Sequence, residues 1–399
     1  MQAKPKRRRF MQNFIYNTPT KVYFGKDTQK QVGEIIKEYG YKKVMIQYGK
    51  GSVIKSGLLD QITSALTQNG IEYVLKGGVE PNPKLTFVRE AVQLAKTEKV
   101  DFILAVGGGS SLDSSKYTAL GAFADCDVWD LVLDPKKIKG ALPVGVVLTH
   151  SAAGSEMSNS AVVTNMELNL KKGVSTEFNR CKFAICNPEL TYTVSKYQTA
   201  CGIVDMMTHT IERYFTVCED TLLTDQLSEA LLRSIISAGS VAVENPTDYN
   251  ARATLMWGSS LAHNGLTGCG RINYLAVHQL EHAVSGEFDQ VAHGAGLAVL
   301  FPAWAKYVCK YNVKRFAQFA RNVWGVTEND DLKCALLGID AMAKYFESLG
   351  MPTKLSDFDI PKSAISRLAD LCTYGQTRTI NSYIPLGYKE IIDILELCY

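Results

Sequence analysis

The sequence predicts two packed parts, an α/β domain built on a parallel sheet and an all-helical domain that follows it. Three observations lead there. Short β-branched runs alternate with amphipathic stretches as far as Pro188, the signature of strand-and-helix units around a parallel sheet. From Lys196 onward the pattern is almost wholly helical. At 399 residues, 46% hydrophobic, the chain can bury two cores, and no internal repeat or low-complexity linker points to another architecture. The expected boundaries are a basic extension over 1–10, an α/β domain over 11–188 and a helical domain over 189–399.

Taken in order, strands are expected at 43–48, 73–75, 102–106, 145–148 and 183–185, each a short run rich in Val, Ile, Leu and Phe. Helical periodicity fills the intervals at 29–39, 58–69, 84–95 and 111–122. In the second part, apolar residues recur at helical spacing over 198–214, 221–243 and 251–261.

Composition excludes several classes of function. A net charge of +3 is too slight for a nucleic-acid surface, and much of it sits in one run from Lys4 to Arg9. That run precedes Met11, where patterned sequence begins, and reads as a disordered extension, with a nuclear-import signal as the lesser alternative. No apolar stretch reaches 18 residues and no signal-peptide core is present, so no membrane association is expected and the cytoplasm is the expected location. The ten cysteines contain no Cys-x-x-Cys and read as buried thiols in a reducing compartment. Apolar helix faces make a homodimer the default assembly.

Two turns carry nucleotide chemistry. The run from Phe102 to Val106 leads straight into Gly107, Gly108, Gly109 and Ser110, followed by a helix bearing Asp113 and Lys116. Glycines let the backbone approach a pyrophosphate, and the free amides at the next helix's positive end stabilise its charge. An earlier turn, Gly49, Lys50, Gly51 and Ser52, follows the first strong strand, where an adenosine ribose would lie. It holds no acidic residue of the kind that binds a ribose 2′-hydroxyl in NAD sites. Lys50 and Lys55 offer cations, and Ser52 and the glycine amides offer donors, so the turn favours NADP(H).

The histidines carry the metal chemistry. Five of the six fall between positions 209 and 293. Asp205 and His209 are four apart, as are His278 and His282, so each pair shares a helix face. With His293 just before Gly294, one carboxylate and up to four imidazoles can converge in otherwise apolar segments, where buried ionisable groups need a partner. Carboxylate plus imidazole without thiolate suits a divalent first-row metal, Fe(II) or Zn(II), rather than an all-oxygen Mg or Ca cage.

These segments join Phe24-Gly25-Lys26, Pro81-Asn82-Pro83, Ala153-Gly154-Ser155-Glu156 and Ala262-His263-Asn264-Gly265. Together they resemble the iron-containing (group III) alcohol dehydrogenase family, specifically its NADPH-dependent butanol dehydrogenase branch, over nearly the whole chain from Met11. The resemblance implies a fold like that of dehydroquinate synthase, with a dinucleotide-binding first domain. It places the metal ligands on Asp205, His209, His278 and His293 and an additional active-site histidine on His282. It puts cofactor contacts on Gly108, Gly109, Ser110, Asp113, Thr149 and Lys171, and makes the segment Gly49 to Lys55 similar to the NADP-preferring form. Two departures stand out. Ala153 replaces a common Thr, and the interval from His282 to His293 is one residue longer than in several relatives.

In such a site a Lewis acid stabilises the negative charge developing on an aldehyde oxygen as hydride arrives from a nicotinamide. His282 is expected to relay the proton or position the ring. The expected reaction interconverts short-chain aldehydes and alcohols. One alternative, a polyol-phosphate dehydrogenase or lyase of the dehydroquinate synthase type, needs a basic phosphate cluster, for which Arg213 and Arg271 are the nearby arginines. Another, a metal-dependent hydrolase, leaves the glycine turn structural.

Overall fold

The computed structural model describes residues 10–399. The basic run expected as an extension lies, up to position 9, outside the described residues. The first part contains β1 (Lys21–Phe24), α1 (Val32–Glu38), β2 (Lys43–Gly49), α2 (Ser52–Lys55), α3 (Leu58–Gln68), β3 (Glu72–Val79) and α4 (Leu85–Glu98). It continues with β4 (Phe102–Gly107), α5 (Gly109–Phe123), α6 (Val128–Leu133), β5 (Val144–Leu148), β6 (Ser160–Asn165), β7 (Leu170–Ser175) and β8 (Phe183–Cys186). Helices then follow one another: α7 (Lys196–Tyr214), α8 (Leu222–Glu244), α9 (Tyr249–His263), α10 (Ala276–Glu287) and α11 (His293–Val308). The last are α12 (Val313–Trp324), α13 (Asp331–Ser348), α14 (Ile365–Thr373) and α15 (Tyr388–Glu396).

The five expected strands form, and they share one six-stranded sheet in the order β1-β8-β5-β4-β2-β3. All of its pairings are parallel. Several elements escaped the periodicity, among them the short helices α2 and α6 and three strands. Strand β1 has only four residues, none of them buried, so it lacks an apolar face to betray it. Strands β6 and β7 form a separate antiparallel hairpin whose second strand, Leu-Lys-Lys-Gly-Val-Ser, reads as polar loop. The helix expected at 29–39 is a single 3₁₀ turn running into the shorter α1.

Alternation along β4 builds two cores at once. Phe102, Leu104 and Val106 join the cluster under α1 and α3, whereas Ile103 and Ala105 face the cluster that includes Leu112 of α5 and Met256 of α9. A larger third cluster fills the helical part around α7, which is buried from Thr199 to Tyr214. Helix α9 thus seals the helical part to the sheet. From β2 the chain moves outward to β3, and from β4 it moves the other way to β5, so the strand order reverses between β2 and β4. Their carboxyl ends open a crevice of the type that binds ligands in open α/β sheets.

Candidate active site

Register delivers the nucleotide turns to that crevice. Tyr48 pairs with Val106 and Gly107 with Leu148, so Gly49, Gly107 and Thr149 emerge side by side. The Thr149 N–H donates to Gly107 O at 3.0 Å. Gly107 has φ 154°, and a Cβ there would stand 2.4 Å from Ser111 Oγ, so the turn requires glycine. A Cβ on Gly109 would meet nothing within 4 Å, which leaves open space over the first turn of α5. That turn has neither a side-chain cap nor an acidic residue, so its amides, Ser110 among them, remain available to an anion.

The earlier turn differs from its reading in sequence. No carboxylate lies within it, but β3 runs beside β2 and, past a register shift at Gly49, brings Glu80 up to Lys50, with Nζ to Oε1 at 2.5 Å. Ser52 and Lys55 are exposed on α2. Asp113 and Lys171 are both committed within the protein. Asp113 accepts from Ser155 Oγ at 2.7 Å and from the Val162 N–H at 2.9 Å, tying α5 to β6. Lys171 donates to Asn82 Oδ1 at 3.1 Å and Ser285 Oγ at 3.0 Å, and its Nζ lies 3.5 Å from Glu281 Oε2.

The metal candidates converge from three helices. Asp205 and His209 project from one face of α7, His278 from α10, and His293 is the first residue of α11. Gly294 makes this approach possible, because a Cβ on it would lie 2.1 Å from the carbonyl oxygen of Cys201, one turn before Asp205. Around Asp205 Oδ1 stand the Nε2 atoms of His209 at 3.3 Å, His278 at 3.7 Å and His293 at 4.0 Å. Donors bound tetrahedrally at about 2.1 Å would be separated by roughly 3.4 Å. The donor atoms of Asp205, His278 and His293 all lie within 4.8 Å of one another and so fit one shared ion, whereas His209 comes close to Asp205 but stands outside that mutual group. Asp205 Oδ1 and His278 Nε2 are also buried without any hydrogen-bond partner, a costly state that a cation between them relieves.

His282 stands apart from that group. Its ring centroid is 5.7 Å from that of His293, and it clusters with Glu281 and His293 rather than with Asp205. Burial, reinforced by Lys171, pushes its basicity well down and keeps the ring neutral. Burial does the same to His209, helped by the cationic forms of His263 and His278 and by Arg213. Burial also disfavours the His278 cation, but Glu212 and Asp205 outweigh it and raise that imidazole to about 9.

Glu212 and Glu281 went unread in the sequence, and His263 was read there only within a motif, with no role of its own. Glu212 accepts from His278 Nδ1 and from the Val277 N–H at 2.6 Å, and so caps α10, whose preceding residue, Leu275, has φ 48° and no side-chain cap. Glu281 accepts from His293 Nδ1. His263 Nδ1–H donates to Ala153 O at 2.7 Å, and its ring stacks on His209 with centroids 3.9 Å apart. Glu212 completes an i, i+4, i+7 stripe with Asp205 and His209, a signal the sequence did carry.

The arginines that a substrate phosphate would need are spent. Arg213 Nη1 donates to His209 O at 2.5 Å. Arg271 bonds Asp225, Ser228 Oγ at 3.1 Å and Thr267 O at 2.8 Å.

Residues 19–188 match the family model described as iron-containing alcohol dehydrogenase, and 199–399 match that of the Fe-containing alcohol dehydrogenase family, C-terminal. The chain is 41% identical over 391 residues to NADH-dependent butanol dehydrogenase A of Clostridium acetobutylicum, covering 98% of this chain and 100% of that one. It is 38% identical over 375 residues to the NADPH-dependent aldehyde reductase YqhD of Escherichia coli, covering 92% and 95%. The crystal structure of NADH-dependent butanol dehydrogenase A from Thermotoga maritima superposes with a TM-score of 0.95 at 38% identity, over 98% of this chain and 99% of that one. The chain therefore belongs to the iron-containing alcohol dehydrogenase family.

Proposed function

We propose that this alcohol dehydrogenase and aldehyde reductase exchanges hydride between NADP(H) and short-chain primary alcohols or their aldehydes, at a divalent ion, Fe(II) or Zn(II), held by Asp205, His209, His278 and His293. The observation that carries this reading is the pair of buried, unpartnered atoms, Asp205 Oδ1 and His278 Nε2, among converging imidazole nitrogens. When bound, the ion supplies Lewis acidity toward the substrate oxygen and the nicotinamide supplies or accepts the hydride.

The chain's own groups do the rest. The amides of Gly108, Gly109 and Ser110 meet the cofactor's pyrophosphate at the uncapped end of α5, beside Thr149. Lys50, Ser52, Lys55 and the amides of Gly49 and Gly51 receive a ribose 2′-phosphate. The Lys50–Glu80 pair does not prevent this, since side chains 70% and 43% exposed form an ion pair worth only about 0–1 kcal/mol, which a dianionic phosphate displaces. Asp113 and Lys171, which the family resemblance gives as cofactor contacts, serve that side of the site through the bonds that tie α5 to β6 and β7 to α10. Neutral His282 has one N–H to give to the substrate oxygen and one bare nitrogen to take a proton back from solvent.

Cytoplasmic residence is supported by ten free cysteines. Among the described residues no helix is long and apolar enough to cross a membrane. Self-association as a homodimer is supported by exposed Phe14, Ile15 and Tyr16, which lead into edge strand β1.

Metal analysis of anaerobically purified protein, paired with butanal turnover using NADPH and NADH, tests the reading. Stoichiometric metal and faster turnover with NADPH are expected, and NADPH should raise the melting temperature. Full turnover by exhaustively chelated Asp205→Ala protein would overturn it.

A further inference from the structure

We infer that Glu212 and Glu281 are positioning residues that fix the tautomers of His278 and His293, and that Lys171 reaches across from the nucleotide-binding part to hold Glu281 in place. This rests on the metal reading of Asp205 and its neighbouring imidazoles. An imidazole can offer a lone pair at Nε2 only when its proton resides on Nδ1, so whatever faces Nδ1 decides whether the ring is ready to bind an ion. Both rings have a carboxylate there. His278 Nδ1 donates to Glu212 and His293 Nδ1 donates to Glu281, while both Nε2 atoms face Asp205 Oδ1. Both Nε2 atoms are thus turned toward the one point that an ion shared with Asp205 would occupy.

The two carboxylates are held differently. Glu212 is anchored locally, because its Oε1 also accepts the Val277 N–H at 2.6 Å at the start of α10. Glu281 is wholly buried, and the cation nearest to it belongs to another part of the molecule. Lys171 comes from β7, in the hairpin beside the sheet, and its Nζ lies 3.5 Å from Glu281 Oε2. The remaining donors of that ammonium bond Asn82, from the loop after β3, and Ser285 of α10. Gly296 leaves the room required, since a Cβ there would lie 3.0 Å from Glu281 Cγ. A buried carboxylate without its counter-charge is costly, so loss of Lys171 disturbs Glu281 and through it His293, although Lys171 touches neither ligand set nor substrate. The nucleotide-binding part thereby contributes to metal affinity.

The test measures Zn²⁺ affinity of the full chain by competition with a chromophoric chelator, and the visible spectrum of the Co²⁺-substituted protein. Variants are Glu212→Leu, Glu281→Leu, Glu281→Gln and Lys171→Met, beside wild type and Asp205→Ala. Each Leu variant should bind Zn²⁺ about 10- to 100-fold more weakly. Glu281→Gln, which keeps an acceptor, should lose less, and Lys171→Met should weaken binding and shift the Co²⁺ bands as the Glu281 variants do. A purely space-filling role would lower the melting temperature of the apoprotein but leave affinity and bands unchanged. If Leu variants fail to fold, Glu281→Gln and Lys171→Met decide. Wild-type affinity and spectrum in both overturn the inference. Absence of Zn²⁺ binding by wild type, or undiminished binding by Asp205→Ala, would instead overturn the metal reading beneath it.

Discussion

Lys50 Nζ lies 2.5 Å from Glu80 Oε1, joining the turn after β2 to the end of β3. If the turn holds the adenosine ribose, as proposed, that carboxylate would compete with a 2′-phosphate for the cation and offer a ribose hydroxyl an acceptor. Glu80→Gln should therefore raise the ratio of kcat/KM for NADPH over NADH, by up to about five-fold given the strength of an exposed pair. Lys50→Ala should lower that ratio. Steady-state kinetics with both cofactors measure it, and an unchanged ratio in both variants would remove this turn from cofactor selection.

Gly294→Ala should release metal without touching a ligand. Its Cβ would fall 2.1 Å from a backbone oxygen of α7, which cannot swing aside, so α11 must retreat and carry His293 away from Asp205. A stability loss of about 1–3 kcal/mol is expected, with lower metal content after dialysis. Retention of wild-type metal content would show that α11 tolerates the displacement.

Lys116→Met should destabilise the fold. Lys116 is fully buried and donates to Ser155 O at 2.7 Å, Ser155 Oγ at 2.9 Å, Ser158 O at 3.1 Å and Ser160 O at 2.9 Å. Removing the ammonium strands these acceptors, a loss on the order of 3 kcal/mol or more by denaturant unfolding. A variant as stable as wild type would mean that water replaces it.

Asp225 gives the acid limb of stability. Burial pushes its carboxyl up, but Arg315 and Arg271 together outweigh burial and hold it below its ordinary range. A carboxyl lowered on folding contributes stability that is complete above the unfolded pKa of about 3.9 and is lost as pH falls through the lower, folded value. Asp225→Asn should melt at a lower temperature near neutrality, and the gap to wild type should narrow as the pH drops below about 4. Parallel melting curves across that range would exclude this contribution.

What the sequence disclosed follows from the range of each signal. Local signals sufficed for β4 with its glycine turn and for the four-residue spacings of Asp205 with His209 and of His278 with His282. Glu212 was also within local reach, one helical repeat beyond Asp205, but an acidic residue near a helix end resembles many surface ones. Glu80 and Lys171 were beyond it. The first meets Lys50 only because β3 lies beside β2, and the second meets Glu281 more than a hundred positions away. Strand β1 has no buried residue and β7 only Lys171 and Val174, so periodicity had no continuous apolar face to reveal there.

The rings of His263, His209 and His278 form a column with successive centroids 3.9 and 4.1 Å apart. Such a column is held by aromatic contact and by the Ala153 carbonyl beneath it. Under the proposed metal reading, imidazole and carboxylate donors fixed in this way single out no one first-row ion, so supply rather than the polypeptide would select it.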